Sequence, residues 1–426
     1  MLPRRFYELS NPGKVGRRGA WPVKILADVR SGLCLNEAMP LPTVRVNRKA
    51  ADRIRSGHLR IFASDVMDRG EAQPGDAVRV LDPRGQLLGT AHFSSTSQIC
   101  LRLLSHRAEN IDQSFLAARI RDAYAYRQRM VTGSEAYRLV HAEGDLLPGF
   151  IADRYGDYIA VQLLDQGMDR LRTEIVAVLV DLLQPKAIVA RNDVPARVKE
   201  NLPRTSEVLW GQAPPLIEIQ MNGLCWQIDL LHAQKTGLFL DQRENYLAVR
   251  RYARGAVLDC FSGTGGFALH LAAAAASVEA VDSSAAAIEA ARNNAQANAI
   301  SNISFREADV LDYLPALVEA HRTFDVVVID PPAFAKSRSA LPGAARGYKE
   351  INRRALQLLG KGGVLVSCSC SHHMSEAHLL EVIASAALDA GKQLRVLERR
   401  TQAQDHPILL TVPETHYLKC LIFEVL

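Results

Sequence analysis

Apolar and polar positions change rhythm along the chain. From Val44 to about Ser105 they mark short strands: Ala77-Val78-Arg79-Val80-Leu81 alternates, Asp82-Pro83-Arg84-Gly85 has turn chemistry, and Leu87 to Ala91 resumes the strand. Gln98 to Leu104 reads as another strand. From Ser114 to Met130 the spacing becomes helical, with Leu116, Ile120, Ala123 and Tyr124 on one face. Tyr137 to Val140, Gly149 to Asp153 and Tyr158 to Leu163 follow as strands, with Arg154-Tyr155-Gly156-Asp157 as a turn. A helix is expected from about Asp169 to Leu183. After about Pro215, strand and helix alternate. Ala256 to Leu258, Val278 to Val281, Ile303 to Phe305, Val326 to Ile329 and Val364 to Ser367 read as strands with helices between them. The alanine run from Leu271 to Ala276 reads as the packed side of a helix.

This pattern predicts an α/β protein whose C-terminal part is a doubly wound parallel sheet of the Rossmann-like kind. A central α/β domain and a small β-rich domain precede it. The expected divisions are 1–41 (a basic arm), 42–112, 113–222 and 223–426.

Composition changes the picture little. The 426 residues are 48% hydrophobic and 23% charged, enough for several cores. A net charge of +5 permits a nucleic-acid partner without demanding one. Arg4, Arg5, Lys14, Arg17, Arg18, Lys24 and Arg30 crowd the arm, which can touch RNA phosphates or be a loosely ordered terminus. Arg119, Arg121, Arg127 and Arg129 decorate the first long helix, either tracking phosphate or forming a solvated face. Seven cysteines show no disulfide-framework spacing, which suits reduced thiols in the cytoplasm. Neither a membrane-spanning run nor a secretory segment is expected.

The candidate chemistry lies at strand ends. Asp259-Cys260-Phe261-Ser262-Gly263-Thr264-Gly265-Gly266 follows one strand and opens a helix, so its backbone can approach a ligand closely. With Ala268 at the third fingerprint position, the loop alone does not separate NAD from S-adenosylmethionine. Asp282 ends the second strand, where an acid accepts ribose hydroxyls; Asp309 follows the third, where it can receive an adenine amino group. This series of acids favours S-adenosylmethionine. The expected cofactor residues are Lys235, Thr236, Phe239, Phe261, Gly263, Thr264, Gly265, Asp282, Asp309 and Asp330. Asp330-Pro331-Pro332-Ala333-Phe334 leaves a strand by a stiff turn that can hold a carboxylate beside a planar base, with Phe334 stacking on it. Pro331, Pro332, Phe334, Tyr348 and Lys349 are the expected substrate contacts.

Cys370, in Ser369-Cys370-Ser371, is the expected nucleophile, with Asp330 as its catalytic partner. Carbon 5 of cytosine is a poor nucleophile; a thiolate adding to carbon 6 makes an enamine that accepts a methyl group. Cys368 competes, but it lies within the apolar run. His372 and His373 are expected to be surface or structural residues. Asp241 can pair with Arg243 or Lys235.

With these residues in view, the chain resembles the bacterial 23S ribosomal RNA cytosine-C5 methyltransferases of the large-subunit type, which carry a PUA domain. The resemblance rests on Ser97-Gln98-Ile99, Tyr137-Arg138-Leu139, Leu147-Pro148-Gly149, Lys235-Thr236-Gly237 with Leu240-Asp241-Gln242-Arg243, Asp330-Pro331-Pro332, Arg346-Gly347-Tyr348-Lys349, Ser369-Cys370-Ser371 and Asp405-His406-Pro407. It runs from about residue 42 onward. It implies an N-terminal PUA RNA-binding domain, a Rossmann-like methyltransferase domain, S-adenosylmethionine as donor, 23S ribosomal RNA as partner, and Cys370 as nucleophile. A homodimer is compatible with it, and no membrane or metal is expected. One departure stands out. Many relatives in the wider RNA 5-methylcytosine group have a second cysteine, thought to help release the product, where this chain has Ala333.

Other readings are an N-methyltransferase acting on an exocyclic base amine, which needs no thiol, and a non-catalytic RNA-binding factor. A dehydrogenase is more distant, because no residues mark a nicotinamide pocket.

Overall fold

A computed structural model describes residues 41–232, 236–334 and 338–426. The basic arm and Lys235 lie outside these residues.

The first sheet has six strands in the spatial order Arg60–Phe62, Ile99–Ser105, Leu87–Phe93, Ala77–Leu81, Thr43–Val46 and Val66–Asp68. The alternation read from the sequence is real: Val78 and Val80 are buried, and Arg79 between them is exposed. Asp82 closes the predicted turn by accepting from the backbone N–H groups of Arg84 and Gln86, each at 2.9 Å.

The second sheet has five strands in the order Ser206–Gly211, Ala187–Arg191, Tyr158–Leu163, Phe150–Tyr155 and Ala136–His141. Helices Gln113–Met130 and Arg172–Leu183 cover one face through Leu116, Ile120, Ile175 and Leu179. The other face, with Tyr155, Ala160 and Val189, merges with the core of the third sheet. Two expectations change here. Arg154 and Tyr155 belong to the strand, because Tyr155 is fully buried and pairs with Tyr158; only Gly156 and Asp157 turn. Arg127 is neither a phosphate contact nor part of a solvated face. It is fully buried and forks onto Asp145 at 2.5 and 2.7 Å.

A hairpin of Ile217–Met221 and Leu224–Ile228 follows and spans the division expected near residue 222. The third sheet has seven strands, numbered here from its own first strand: β1 (Ala256–Cys260), β2 (Ser277–Asp282), β3 (Ile303–Glu307), β4 (Phe324–Ile329), β5 (Leu359–Ser369), β6 (Leu394–Arg400) and β7 (Lys419–Val425). Their order is β3-β2-β1-β4-β5-β7-β6. The first five are parallel, and β7 runs antiparallel to both its neighbours. Alternate residues feed opposite faces. Val257, Val326 and Val364 pack against α1 (Arg243–Arg250) and α2 (Gly266–Ala272). Leu258, Val327 and Leu365 pack against α4 (Val310–Glu319), α5 (Leu341–Gln357) and α6 (Glu376–Asp389). Helix α3 (Ala285–Ala297) holds the hairpin: Asn294 Oδ1 accepts from the Gln227 N–H at 2.9 Å.

The alanine run departs from expectation. Helix α2 ends at Ala272, and Ala273, Ala274 and Ala276 are exposed, because the chain turns there so that the N–H of Ala276 reaches the Gly255 carbonyl at 2.8 Å.

Candidate active site

Strand order reverses between β1 and β4, which places a crevice outside the carboxyl ends of these strands. Beyond β1 the backbone turns through left-handed conformations at Phe261 (φ 62°), Gly263 (55°) and Gly265 (91°). Asp259 Oδ2 holds the loop from below, accepting from Ser262 Oγ and the Ala268 N–H, both at 2.9 Å. Gly266 is required by packing, since a Cβ there would lie 2.4 Å from the Tyr246 hydroxyl. Asp282 joins the loop to α3: its two oxygens accept from the N–H groups of Gly263 (2.8 Å) and Ser284 (2.9 Å). Asp309 is exposed after β3 and caps α4 through the Leu311 N–H at 2.8 Å. Thr264 is half-buried, and Phe239 lies beside the loop, its ring 3.4 Å from where a Gly263 Cβ would stand.

Burial pushes the Asp259 carboxyl up to about 7, and repulsion from Asp330 and Asp282 adds to it. Its Oδ1 is buried with no hydrogen-bond partner among the described residues. A crevice with these acids at its strand ends suits a ligand that carries positive charge and ribose hydroxyls.

The second half of the site lies beyond β4 and β5 and before β7. Asp330 follows β4, and its Oδ2 accepts from Gln242 Nε2 at 3.0 Å. Gln242 is oriented in turn: its Oε1 accepts from Asn245 Nδ2 at 2.7 Å, and Asn245 Oδ1 accepts from Arg400 Nε at 2.9 Å. Pro331 is buried, Pro332 exposed, and Phe334 half-buried with its ring 4.9 Å from that of Tyr348. Cys368 is fully buried opposite Cys420 on β7; burial, then the Cys420 thiol, push its own thiol well above the ordinary range. Cys370, just past the strand, is partly exposed.

Several expected residues play different parts. Tyr348 is fully buried and bonded to Ser369 Oγ at 2.9 Å, so it backs the strand end and presents no face to a substrate. Thr236 commits its hydroxyl to Asp153 Oδ2 at 2.5 Å, inside the protein. Lys349 pairs with Asp389 of α6 at 2.7 Å. Asp241 accepts from the Tyr417 hydroxyl at 2.9 Å, while Arg243 faces Asp405 at 3.3 Å. His372 and His373 are exposed, the His372 ring 5.5 Å from Tyr417.

The segment between β6 and β7 carries residues that sequence reasoning missed. Asp405 Oδ2 accepts from the Arg138 N–H at 2.9 Å, its Oδ1 lies 3.0 Å from His406 Nδ1, and its carbonyl accepts from Arg127 at 2.7 Å. Burial raises the Asp405 carboxyl, but His406 and Arg243 outweigh that and hold it well below the carboxylate range. The rings of His141 and Tyr417 lie 6.2 Å apart. Glu414 lies 3.3 Å from His58, just before the Arg60–Phe62 strand of the first sheet. All three sheets therefore meet this segment. The signal for it was Asp405-His406-Pro407, present but without an assigned role. A cavity of about 260 Å³ lies to one side, between the hairpin and α3; Thr264, Gly237 and Ala287 line it, and Cys370 and Asp330 do not.

A sheet of this order, with a glycine loop after its first strand and acids after the next two, defines a nucleotide-cofactor fold. A family profile described as S-adenosylmethionine-dependent methyltransferase matches residues 187–424, and one described as PUA-like domain matches 44–106. The protein named Ribosomal RNA large subunit methyltransferase I in Shewanella denitrificans is 41% identical over 378 residues, covering 86% of this chain and 95% of that one. Its namesake in Tolumonas auensis is 40% identical over 390 residues, covering 89% and 98%. Among solved structures, SMU.776, provisionally described as a methyltransferase and complexed with SAH, superposes with a TM-score of 0.79 at 21% identity, covering 90% of this chain and all of that one. A Streptococcus mutans protein, provisionally described as a SAM-dependent methyltransferase, gives 0.78 at 22% identity, with the same coverage. These two show the fold.

The chain belongs to the S-adenosylmethionine-dependent methyltransferase family, alongside the proteins named Ribosomal RNA large subunit methyltransferase I. S-adenosylmethionine is its cofactor. The residues present are compatible with that group: Asp259, Asp282, Asp309 and Asp330 stand at or just past the ends of β1 to β4, where a cation and hydroxyl donors would find acceptors. The PUA-like domain is the first sheet.

Proposed function

We propose that this chain methylates carbon 5 of a cytosine in 23S ribosomal RNA, in the cytoplasm, through a covalent bond between Cys370 and carbon 6. One contrast carries the reading. Of the two thiols that end β5, Cys368 is sealed in the core and held neutral, while Cys370 is partly exposed beside the Asp330 turn of the neighbouring strand. The names of the relatives support ribosomal RNA as substrate. Among the described residues, no helix is long and apolar enough to cross a membrane.

The cofactor, when bound, supplies an electrophilic methyl carbon. Cys370 Sγ, as thiolate, adds to carbon 6 and drives the electrons of the 5,6 double bond into the ring, making carbon 5 nucleophilic. Asp330, held by Gln242, accepts from the cytosine amino group and, in its protonated form, donates to ring nitrogen 3, which takes up the charge of the adduct. Phe334 packs on the base, and the two prolines keep the turn rigid. After carbon 5 gains the methyl group it loses its proton. Those electrons re-form the double bond and expel Cys370 Sγ. Ala333 offers no acceptor for this proton, so we assign it to water.

Nucleoside mapping of ribosomal RNA from cells lacking the protein tests the reading. One 5-methylcytosine in 23S RNA is expected to disappear and to return with wild type but not with Cys370→Ala. In vitro that variant is expected to lose methyl transfer by about 10⁴-fold or more while still binding S-adenosylmethionine. A methyl group found on an exocyclic nitrogen, or full activity in Cys370→Ala, overturns it.

A further inference from the structure

Strand β7 is apolar along most of its length, yet it opens with Lys419, which is only 3% exposed. A buried ammonium is strongly disfavoured unless something compensates it. Its hydrogen bonds do so only in part. Lys419 Nζ donates to the carbonyls of Ser371 and Tyr417, both at 2.7 Å, and both acceptors are neutral. An ammonium has three N–H donors, so one remains. Glu376 is close enough to be felt, but it is paired with Arg399.

Register shows where that charge is directed. Lys419 stands directly opposite Ser369 across the β5–β7 ladder, and the Ser371 carbonyl it binds follows Cys370. The ammonium therefore holds the backbone one residue past the nucleophile. Burial pulls the Lys419 ammonium down to about 8, and the negative charge of Cys370 pulls it back up. Several other described groups at this strand end are acidic or held neutral. Asp330 beyond β4 is an acid. Tyr348 on α5 and Cys368 on β5 are held neutral by burial. His372, in the loop after β5, is held below its ordinary range by desolvation and then by Arg60 and Lys419.

We propose that Lys419 is a positioning residue that holds Cys370 as a thiolate, both when it attacks and when it leaves. This rests on the reading of Cys370 as the nucleophile. The thiol proton goes to solvent, and the thiolate stays beside the ammonium. Addition to carbon 6 moves the negative charge into the ring, and elimination returns it to sulfur. A fixed cation stabilises sulfur in both charged states, so the same group assists departure from the product. That is the step for which this chain has Ala333 where many relatives in the wider group have a second cysteine.

The test reads the thiol directly. Full-length protein is treated with iodoacetamide across a pH series, and alkylation of the Cys370 peptide is followed by mass spectrometry. In wild type, half-maximal reactivity is expected below the ~8.5 of an ordinary thiol. In Lys419→Met the midpoint is expected to rise by about one pH unit, slowing alkylation about tenfold at neutral pH, with Lys419→Arg close to wild type. The methyl-transfer profile of Lys419→Met is expected to shift the same way and to recover at high pH, which loss of a purely structural tie would not do. A wild-type midpoint at or above ~8.5 overturns the proposal without any variant, and so does an unchanged profile in Lys419→Met. Activity in Cys370→Ala would instead remove the nucleophile reading and leave the alkylation result standing as a separate fact.

Discussion

The two halves of the crevice are built differently. The cofactor half, beyond β1 to β3, comes from short contiguous stretches: the loop from Asp259 to Gly266, then Asp282 with Ser284, then Asp309. Its hydrogen bonds span 19 positions from Gly263 to Asp282 and 30 from Thr264 to Asn294. The half proposed to hold the base, beyond β4 and β5 and before β7, is gathered from afar. Asp330 is held by Gln242 over 88 positions, Tyr417 reaches Asp241 over 176, and Asp405 reaches Arg138 over 267. A cofactor shared by many enzymes is met by a local motif. On the proposed function, the nucleotide would be met by a surface that only the finished fold assembles.

The largest effect is expected at the local half. Gly266→Ala drives a methyl group to 2.4 Å from the Tyr246 hydroxyl at the root of the loop. It should cost about 1–3 kcal/mol in denaturant unfolding and weaken S-adenosylmethionine binding in calorimetry. Unchanged binding would show that the loop tolerates displacement and is less tightly built than described. A smaller, selective effect is expected at the distributed half. Gln242→Leu removes a hydrogen bond to the Asp330 carboxylate and should slow methyl transfer about tenfold in single-turnover kinetics, with cofactor affinity nearly intact. Equal loss of both would merge the two halves into one.

The smallest effect is on pH dependence. Asp259 is raised to about 7 in the folded protein, so near neutrality it is partly protonated. A bound sulfonium favours its ionised form and lowers its pKa, so binding releases a proton and affinity rises with pH through about 7. S-adenosylhomocysteine, whose sulfur is neutral, should show little of this trend. Several-fold tightening between pH 6 and 8 is expected for the cation alone. Equal slopes for the two ligands in calorimetry would detach Asp259 from the cofactor charge.

The same division explains what could be read from the chain. Five parallel strands, the glycine loop, the acids and the two candidate thiols were legible, because each is a local pattern of apolar run, turn and polar residue. Strand β6 escaped because Leu394–Arg400 is a charged, half-exposed edge without a clean alternation. Strand β7 escaped although it is apolar, since nothing local says that it inserts between two earlier strands. Arg127 looked like one of several surface arginines; its burial depends on Asp145 and on the distant carbonyl of Asp405. Tyr348 was expected as a substrate contact, yet tertiary packing turned it against Ser369. Cys368 was expected within the apolar run and is buried, while Cys370 beyond it is partly exposed.

The insertion of β7 bears on how the protein is made. During synthesis β5 and β6 leave the ribosome before the strand that separates them, so the edge of β5 stays open until β7 arrives. An open edge invites pairing with other chains. On the role proposed for Lys419, Cys370 would gain its cation only when β7 pairs with β5, so the reactivity of the thiol would follow the closing of the sheet.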